Sequence, residues 1–410
     1  METPFDVAKC REQFPSLQRM IQGHSVAYLD GPGGTQVPQS VMDAMMQYYR
    51  QSNANTHGQF LASRETDGVV QTAREAMAAL LGTDDAATIS FGANMTTLNF
   101  SLARAIARSV QPGDEIVVTD LDHDANVAPW LTLAERGAII RRVPVRPDAT
   151  LDMEAFAGLL NSKTRWVAVG YASNAVGTVN DVSTVRRWTR EIGAWLVVDG
   201  VHFTPHGVVD VQGLDPDFLL CSAYKFFGPH VGVLYSRPGL LAELSTDRVR
   251  PQRETAPERI ETGTLNHAAL AGVTAAVRFL AELSFVSASL RERLVTTMNQ
   301  IYTYEHELVS QLYQGLRNIS GIQIYGPPVD ETLRVPTLSF TLDGATPEAV
   351  ARYLGDKGIY VWNGDFYALT VVRELGLASR GGLVRVGFAP YNTSCEVARL
   401  LSELTELAYR

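Results

Sequence analysis

The sequence is poor in cysteine. Cys10, Cys221 and Cys395 are the three in 410 residues, and no two form a CxxC pair. A sparse, odd count excludes a disulfide framework and a cysteine-based zinc site. Basic residues form no long block, and the formal net charge is -9. Nucleic acid and anionic membranes are therefore poor partners for this chain. No apolar run approaches the length of a membrane span. The opening METPFDVAKCREQFPSL mixes acids and bases and lacks the apolar stretch of a secretory leader. Repeats and low-complexity segments are also missing. These absences predict a soluble, cytoplasmic protein that acts on a small molecule without a bound metal.

What is present is core-forming material. Hydrophobic residues make up 46% of the chain. A chain this long suggests two domains, or a large domain with a smaller partner. Short apolar runs alternate with helix-period stretches through the middle: ATISF (87–91), EIVVTD (115–120), IIRRVPV (139–145), RWVAVGYAS (165–173), WLVVDG (195–200), DFLLCSA (217–223) and VGVLYS (231–236). Between them lie segments such as MTTLNFSLARAIARSV and VSTVRRWTREIG, the latter with Ser183 as N-cap. Strands alternating with helices predict an α/β fold with a mostly parallel sheet covered on both faces. Beyond about residue 270 long helical stretches give way to RVPTLSFTL and GGLVRVGFA, then a final helix. This predicts a large domain over about 22–270, and a smaller α+β domain from 1–21 and 271–410.

Polar residues at the ends of apolar strands carry the functional signal, because ligands of such sheets bind outside the carboxyl ends of the strands. Asp199 closes AWLVVDG and Lys225 follows DFLLCSA. A lysine there suits imine formation with an aldehyde, and a carboxylate there suits a cationic ring nitrogen. Pyridoxal 5′-phosphate (PLP) requires both. Taken singly, each also fits an ordinary strand-end residue facing solvent. SFGANMTT (90–97) runs from strand through a small-residue turn into a helix, so the backbone at Ala93, Asn94 and Met95 can cradle a phosphate. The same segment reads equally as a plain loop with Asn94 as N-cap. His123 follows EIVVTD and offers a stacking face, while Asn174 and His202 follow other strands within reach of a phenolic oxygen. Arg385 lies inside an apolar strand and suits a substrate carboxylate; the alternative is an edge-strand arginine reaching water.

The blocks SNAVGTV, VVDGVHFTPHGVVDVQGLDPDFLLCSAYKFFGPHVGVLYS, ETGTLNH and GLVRVGFAPYNT resemble class V aminotransferases, specifically the cysteine desulfurase-like branch. The resemblance runs from about Tyr28 to the C-terminus. It implies a fold-type I PLP enzyme with a seven-stranded sheet, working as a homodimer. It gives Lys225 as the lysine that holds the cofactor, Asp199 as the pyridine partner and His123 as the stacking residue. It places Asn174 and His202 near the phenolic oxygen, although desulfurases usually have Gln at the latter position. Ser222 becomes a phosphate ligand, Thr264 a residue reaching the neighbouring subunit's phosphate, and Arg385 the carboxylate arginine.

Two departures stand out. Tyr224 replaces the usual His before the lysine. VWNGDFYAL (361–369) matches the loop that carries the desulfurase nucleophile, with Tyr367 or a neighbour in place of cysteine, so Tyr367 becomes a substrate-side residue. The reading favoured is a PLP enzyme that labilises an amino acid at Cα and cleaves a C–S or other side-chain bond. An aminotransferase, or a desulfurase using another of the cysteines, are the alternatives, with a non-catalytic binding protein last.

Overall fold

The structure, a computed structural model, describes residues 5–284, 286–329 and 333–409. The first four residues of the N-terminal stretch read above, and Arg410 at the end of the last helical run, lie outside the described residues.

Seven strands form the main sheet: β1 (Ile89–Gly92), β2 (Glu115–Thr119), β3 (Ile139–Val143), β4 (Thr164–Gly170), β5 (Trp195–Asp199), β6 (Phe218–Ser222) and β7 (Gly232–Ser236). Their spatial order is β1-β7-β6-β5-β4-β2-β3. The run from β6 to β3 is parallel, while β7 is antiparallel to both neighbours. Both faces of the sheet are buried along its inner strands, which explains their unbroken apolar runs, while the edge strand β3 is partly exposed. Leu219 and Cys221 of β6 enter one apolar cluster, and Phe218 and Leu220 enter the other. Val167 and Val169 of β4 part from Ala168 in the same way.

The helices that matter to the site are α1 (Gln39–Gln51), α2 (Leu61–Leu81), α3 (Met95–Ala107), α4 (Val182–Ile192), α5 (His267–Glu282), α6 (Leu290–Arg317), α7 (Pro347–Asp356), α8 (Leu369–Glu374) and α9 (Ser394–Ala408). Helix α5 lies against α1 and α2, and α6 joins α5 to α9. The N-cap of α4 is Asp181, whose carboxylate accepts from Thr184 N–H at 2.9 Å, and not Ser183. Aspartate two residues earlier wins because its carboxylate reaches the third free N–H of the helix. Asn94 does cap α3, accepting from Thr97 N–H at 2.9 Å.

A second sheet contains β8 (Ile322–Tyr325), β9 (Thr337–Leu342), β10 (Trp362–Gly364) and β11 (Leu383–Gly387), in the order β8-β9-β11-β10 and antiparallel throughout. Arg385 is on β11, between two neighbours, and only 3% exposed. The alternative of an edge arginine reaching water is thereby corrected: strands on both sides close that route. Near the N-terminus, residues 27–28 pair in parallel with residues 359–360, and Asp30 bridges to Gly387 at the end of β11. Phe14 packs edge-on against Phe227, Phe279 and Tyr391, tying the first residues to both sheets' surroundings.

Candidate active site

A cavity of about 720 Å³ opens at the carboxyl ends of β2, β4, β5 and β6. Strand geometry delivers its key groups. Asp199 is the last residue of β5, and Lys225 lies in the turn just after β6. The Lys225 ammonium donates to the Pro32 carbonyl and sits 4.8 Å above the Tyr224 ring. Burial, and then the nearby charge of Arg385, lower this amine to about 7, against the opposing pull of Asp30 and Asp199.

Burial pushes the Asp199 carboxyl up to about 7, and its neighbour Asp122 adds to the shift. Asp199 Oδ1 accepts from Val201 N–H at 2.9 Å. Asp122 is itself buried and raised to about 6; its Oδ2 accepts from Gly170 N–H at 2.9 Å and Asn126 Nδ2 at 2.8 Å. Burial thus favours the protonated form of each carboxyl more than it would for an exposed acid.

His123 follows β2. Its Nδ1 accepts from Ala125 N–H at 3.0 Å, so the neutral ring carries its proton on Nε2. Burial, Lys225 and Arg385 lower its pKa to about 4, which keeps the ring uncharged at neutral pH. Its face meets the Tyr367 ring with centroids 5.5 Å apart. His202 also lines the cavity, with Nε2 and the Thr337 hydroxyl 3.0 Å apart. Behind it His206 and Glu305 form a buried pair at 2.8 Å.

Arg385 is clamped by Asp30 at 2.7 Å and by the Asn174 carbonyl at 3.1 Å, and lies 4.4 Å over the Phe366 ring. Its Nε is buried without a hydrogen-bond partner, as is Asn174 Oδ1. These are spare polar atoms waiting beside a cavity. Asn174 Nδ2 is occupied, donating to the Phe366 carbonyl at 2.8 Å.

At the other end, Ser222 Oγ accepts from Met95 N–H at 3.0 Å, at the first turn of α3. Gly232 of β7 permits this approach. A Cβ there would lie 2.3 Å from the Asn94 carbonyl carbon. Backbone N–H groups, a hydroxyl and the positive end of a helix together suit a phosphate.

The chain matches the family "Aminotransferase class-V" over residues 27–400. A cysteine desulfurase of Serratia proteamaculans (strain 568) is 31% identical over 419 residues, covering 98% of each protein. Among solved structures, the cysteine desulfurase of Escherichia coli in its S-sulfonic acid form superposes with a TM-score of 0.86 at 28% identity, covering 99% of both chains. That of Thermococcus onnurineus NA1 gives 0.84 at 28% identity, covering 94% of this chain and 95% of that one.

The chain belongs to the class-V aminotransferase family. Its cofactor is PLP, and the residues present fit that group: a buried amine of lowered pKa, a buried carboxyl, a phosphate-type helix terminus and unpaired polar atoms. Family membership makes it a PLP-dependent enzyme of the desulfurase-like α/β fold.

Lys225, Asp199, His123, Asn174, His202, Ser222, Asn94, Met95, Tyr367 and Arg385 all line this one cavity. Ala93 does not; it lines a neighbouring hollow shared with Thr264. Thr264 is exposed and lies away from its own chain's Lys225. Sequence reading missed Asp122, Asp30 and the Pro32 carbonyl. The segment DLDHD places Asp122 one residue before His123, a signal that a second strand-end acid was there to be found.

No cysteine lines the cavity among the described residues. Cys10 and Cys221 are buried, and burial raises both thiols far above their ordinary range. Cys395 is exposed, in the first turn of α9. Phe366 and Tyr367 occupy left-handed backbone conformations, φ 58° and 57°. Such non-glycine residues cost about 1 kcal/mol or more each and persist where surroundings hold them.

Proposed function

We propose that this protein is a PLP-dependent lyase that cleaves a C–S or comparable side-chain bond of an amino acid, without passing sulfur to a cysteine of its own. The observation that carries the reading is the loop position taken by Tyr367: it stands beside His123, and among the described residues no thiol lines the cavity.

PLP, when bound, supplies a conjugated ring that draws electrons away from the substrate's Cα. The chain's residues then have distinct tasks. Lys225 would anchor the cofactor and, as a free amine, would take the Cα proton; an amine near pKa 7 suits that transfer. Asp199 holds a proton on the ring nitrogen. His123, uncharged, covers the ring face. Asn174 and His202 hold the phenolic oxygen. Ser222, with the backbone at Asn94 and Met95, would hold the phosphate. Arg385 binds the substrate carboxylate through its free Nε and is kept in place by Asp30. Tyr367 bounds the substrate side.

For an S-substituted cysteine, the Cα proton goes to Lys225 and the Cβ–S bond breaks, its electron pair leaving with sulfur. The products are a thiol and, after addition of water, pyruvate and ammonia. The enzyme is taken to work in the cytoplasm, in keeping with three unpaired cysteines. It is taken to be a homodimer, with exposed Thr264 reaching the partner's phosphate; light scattering under assay conditions tests this, and a fully active monomer refutes it.

Product analysis decides the function. Pyruvate, ammonia and thiol in equal amounts are expected from S-substituted cysteines. Alanine from cysteine would point to a desulfurase, and a 2-oxo acid that retains the side chain to a transaminase.

A further inference from the structure

Beside the Lys225 cavity lies a second hollow of about 540 Å³. Asp30, Gly33, Tyr224, His230 and Trp362 line both, so this annex adjoins the reaction site. Its walls are aromatic. Tyr224 and His230 stack with planes 10° apart and centroids 4.6 Å apart. Tyr28 and Tyr360 meet edge to face at 5.3 Å. Trp362 on β10 is 57% exposed and sits opposite Arg385 on β11, so the two side chains share a face of the sheet. Among the described residues no lysine, arginine or glutamate lines the annex, and its one aspartate, Asp30, already holds Arg385.

We infer that the annex receives the substrate's side chain, and that the substrate is an amino acid carrying a large, uncharged aromatic group, such as a cysteine with an aryl or benzyl substituent on sulfur. The inference rests on Arg385 as the carboxylate ligand proposed above. With the carboxylate there, a side chain enters the annex past Trp362. Flat rings bury large areas against aromatic walls. A charged side chain would lose water there and gain no counter-ion. The thiol of cysteine is too small to fill such a space and leaves it to water. The chemistry balances without an oxidant: S-benzyl-cysteine and water give phenylmethanethiol, pyruvate and ammonia.

Two measurements on the holoenzyme test this. The first is calorimetric binding of 4-phenylbutanoate and of butanoate, carboxylates with no amine to react. The second is kcat/KM for S-benzyl-cysteine and for S-methyl-cysteine. The aromatic member of each pair should be favoured by at least about ten-fold.

Gly355, on α7, lines the annex, and a Cβ placed there meets nothing within 4 Å. Gly355→Leu adds bulk from a position whose first carbon has free space, and leucine suits a helix better than glycine. It should erase the aromatic advantage in both measurements while changing butanoate and S-methyl-cysteine by no more than about two-fold. Ala351→Phe, on the same helix, serves as the second filling variant.

Equal binding of the two carboxylates, or an advantage that survives both filling variants, overturns the inference. Pyruvate from S-methyl-cysteine with no aromatic preference overturns the annex and spares the lyase. Preferential 4-phenylbutanoate binding, lost in Gly355→Leu but accompanied by no pyruvate from any cysteine derivative, supports the annex and overturns the lyase.

Discussion

The rings of Tyr367 and His123 lie 5.5 Å apart, inclined by 29°. The carbonyl of Tyr367 accepts from Asp124 N–H at 2.7 Å, and that of Phe366 from Asn174 at 2.8 Å. The segment 361–369, proposed to stand where a desulfurase carries its nucleophile, is thus tied to the loops that follow β2 and β4. A transferable sulfur needs a soft thiolate that can reach the substrate. In the function proposed above, the aromatic ring of Tyr367 on this fastened segment takes that place.

A variant with Cys10, Cys221 and Cys395 all replaced by serine or alanine is therefore expected to keep the activity of the parent. Any sulfide released from cysteine should appear with pyruvate and ammonia. Stoichiometric alanine, together with a persulfide trapped on one of the three thiols, would falsify the assignment.

Lys225 should be the attachment point of the cofactor. Borohydride reduction followed by peptide mapping should find the label on Lys225 alone. A label elsewhere removes the basis of every role assigned above.

The cofactor-free protein should capture PLP in a pH-dependent way. The neutral amine is the nucleophile, and Lys225 is lowered to about 7. Protonation dominates below that value and is lost as pH rises through it. The capture rate should climb by about ten-fold per unit below pH 7 and flatten above. A rate still rising steadily toward pH 10 would mean an unshifted lysine.

Asp199→Asn should bind PLP yet lose most turnover, because an amide cannot keep the ring nitrogen protonated. Turnover close to that of the parent would exclude the role. Arg385→Ala should raise KM for amino acids by about 10- to 100-fold while weakening PLP binding much less. Because Asp30 then loses its partner, the Asp30→Asn, Arg385→Ala double variant should be the more stable of the two in urea.

Stability should depend on a second buried pair. Arg74 and Glu261 make two contacts of 2.7 Å, and Glu261 also accepts from Phe91 N–H at 2.6 Å. Glu261→Ala strands the Arg74 charge and should cost about 3–5 kcal/mol. An unfolding midpoint unchanged in urea would show that the pair contributes nothing.

Much of this was legible locally. The seven strands of the main sheet announced themselves as short apolar runs, and Asp199 and Lys225 drew attention as a pair because an amine and a carboxylate at the ends of two buried strands suit one cofactor. What escaped was pairing over distance. Nothing in the sequence near Arg385 points to Asp30, and nothing near Lys225 points to the Pro32 carbonyl. The antiparallel turn of β7 was equally hidden, since a strand buried on both faces reads the same in either direction. Ser183 was read as the N-cap, and Asp181 was not, because N-cap preference ranks residue types without fixing where the helix begins.

Asp30 and Arg385 are separated by 355 positions in the chain. That contact closes one of the longest loops the polypeptide contains, at a cost in entropy that only a largely folded molecule can offset. As the chain leaves the ribosome, Asp199 and Lys225 emerge long before the strand that bears Arg385. A partly synthesised chain therefore lacks the arginine proposed to hold the substrate's carboxylate, and that proposed contact is completed only once β11 has been made.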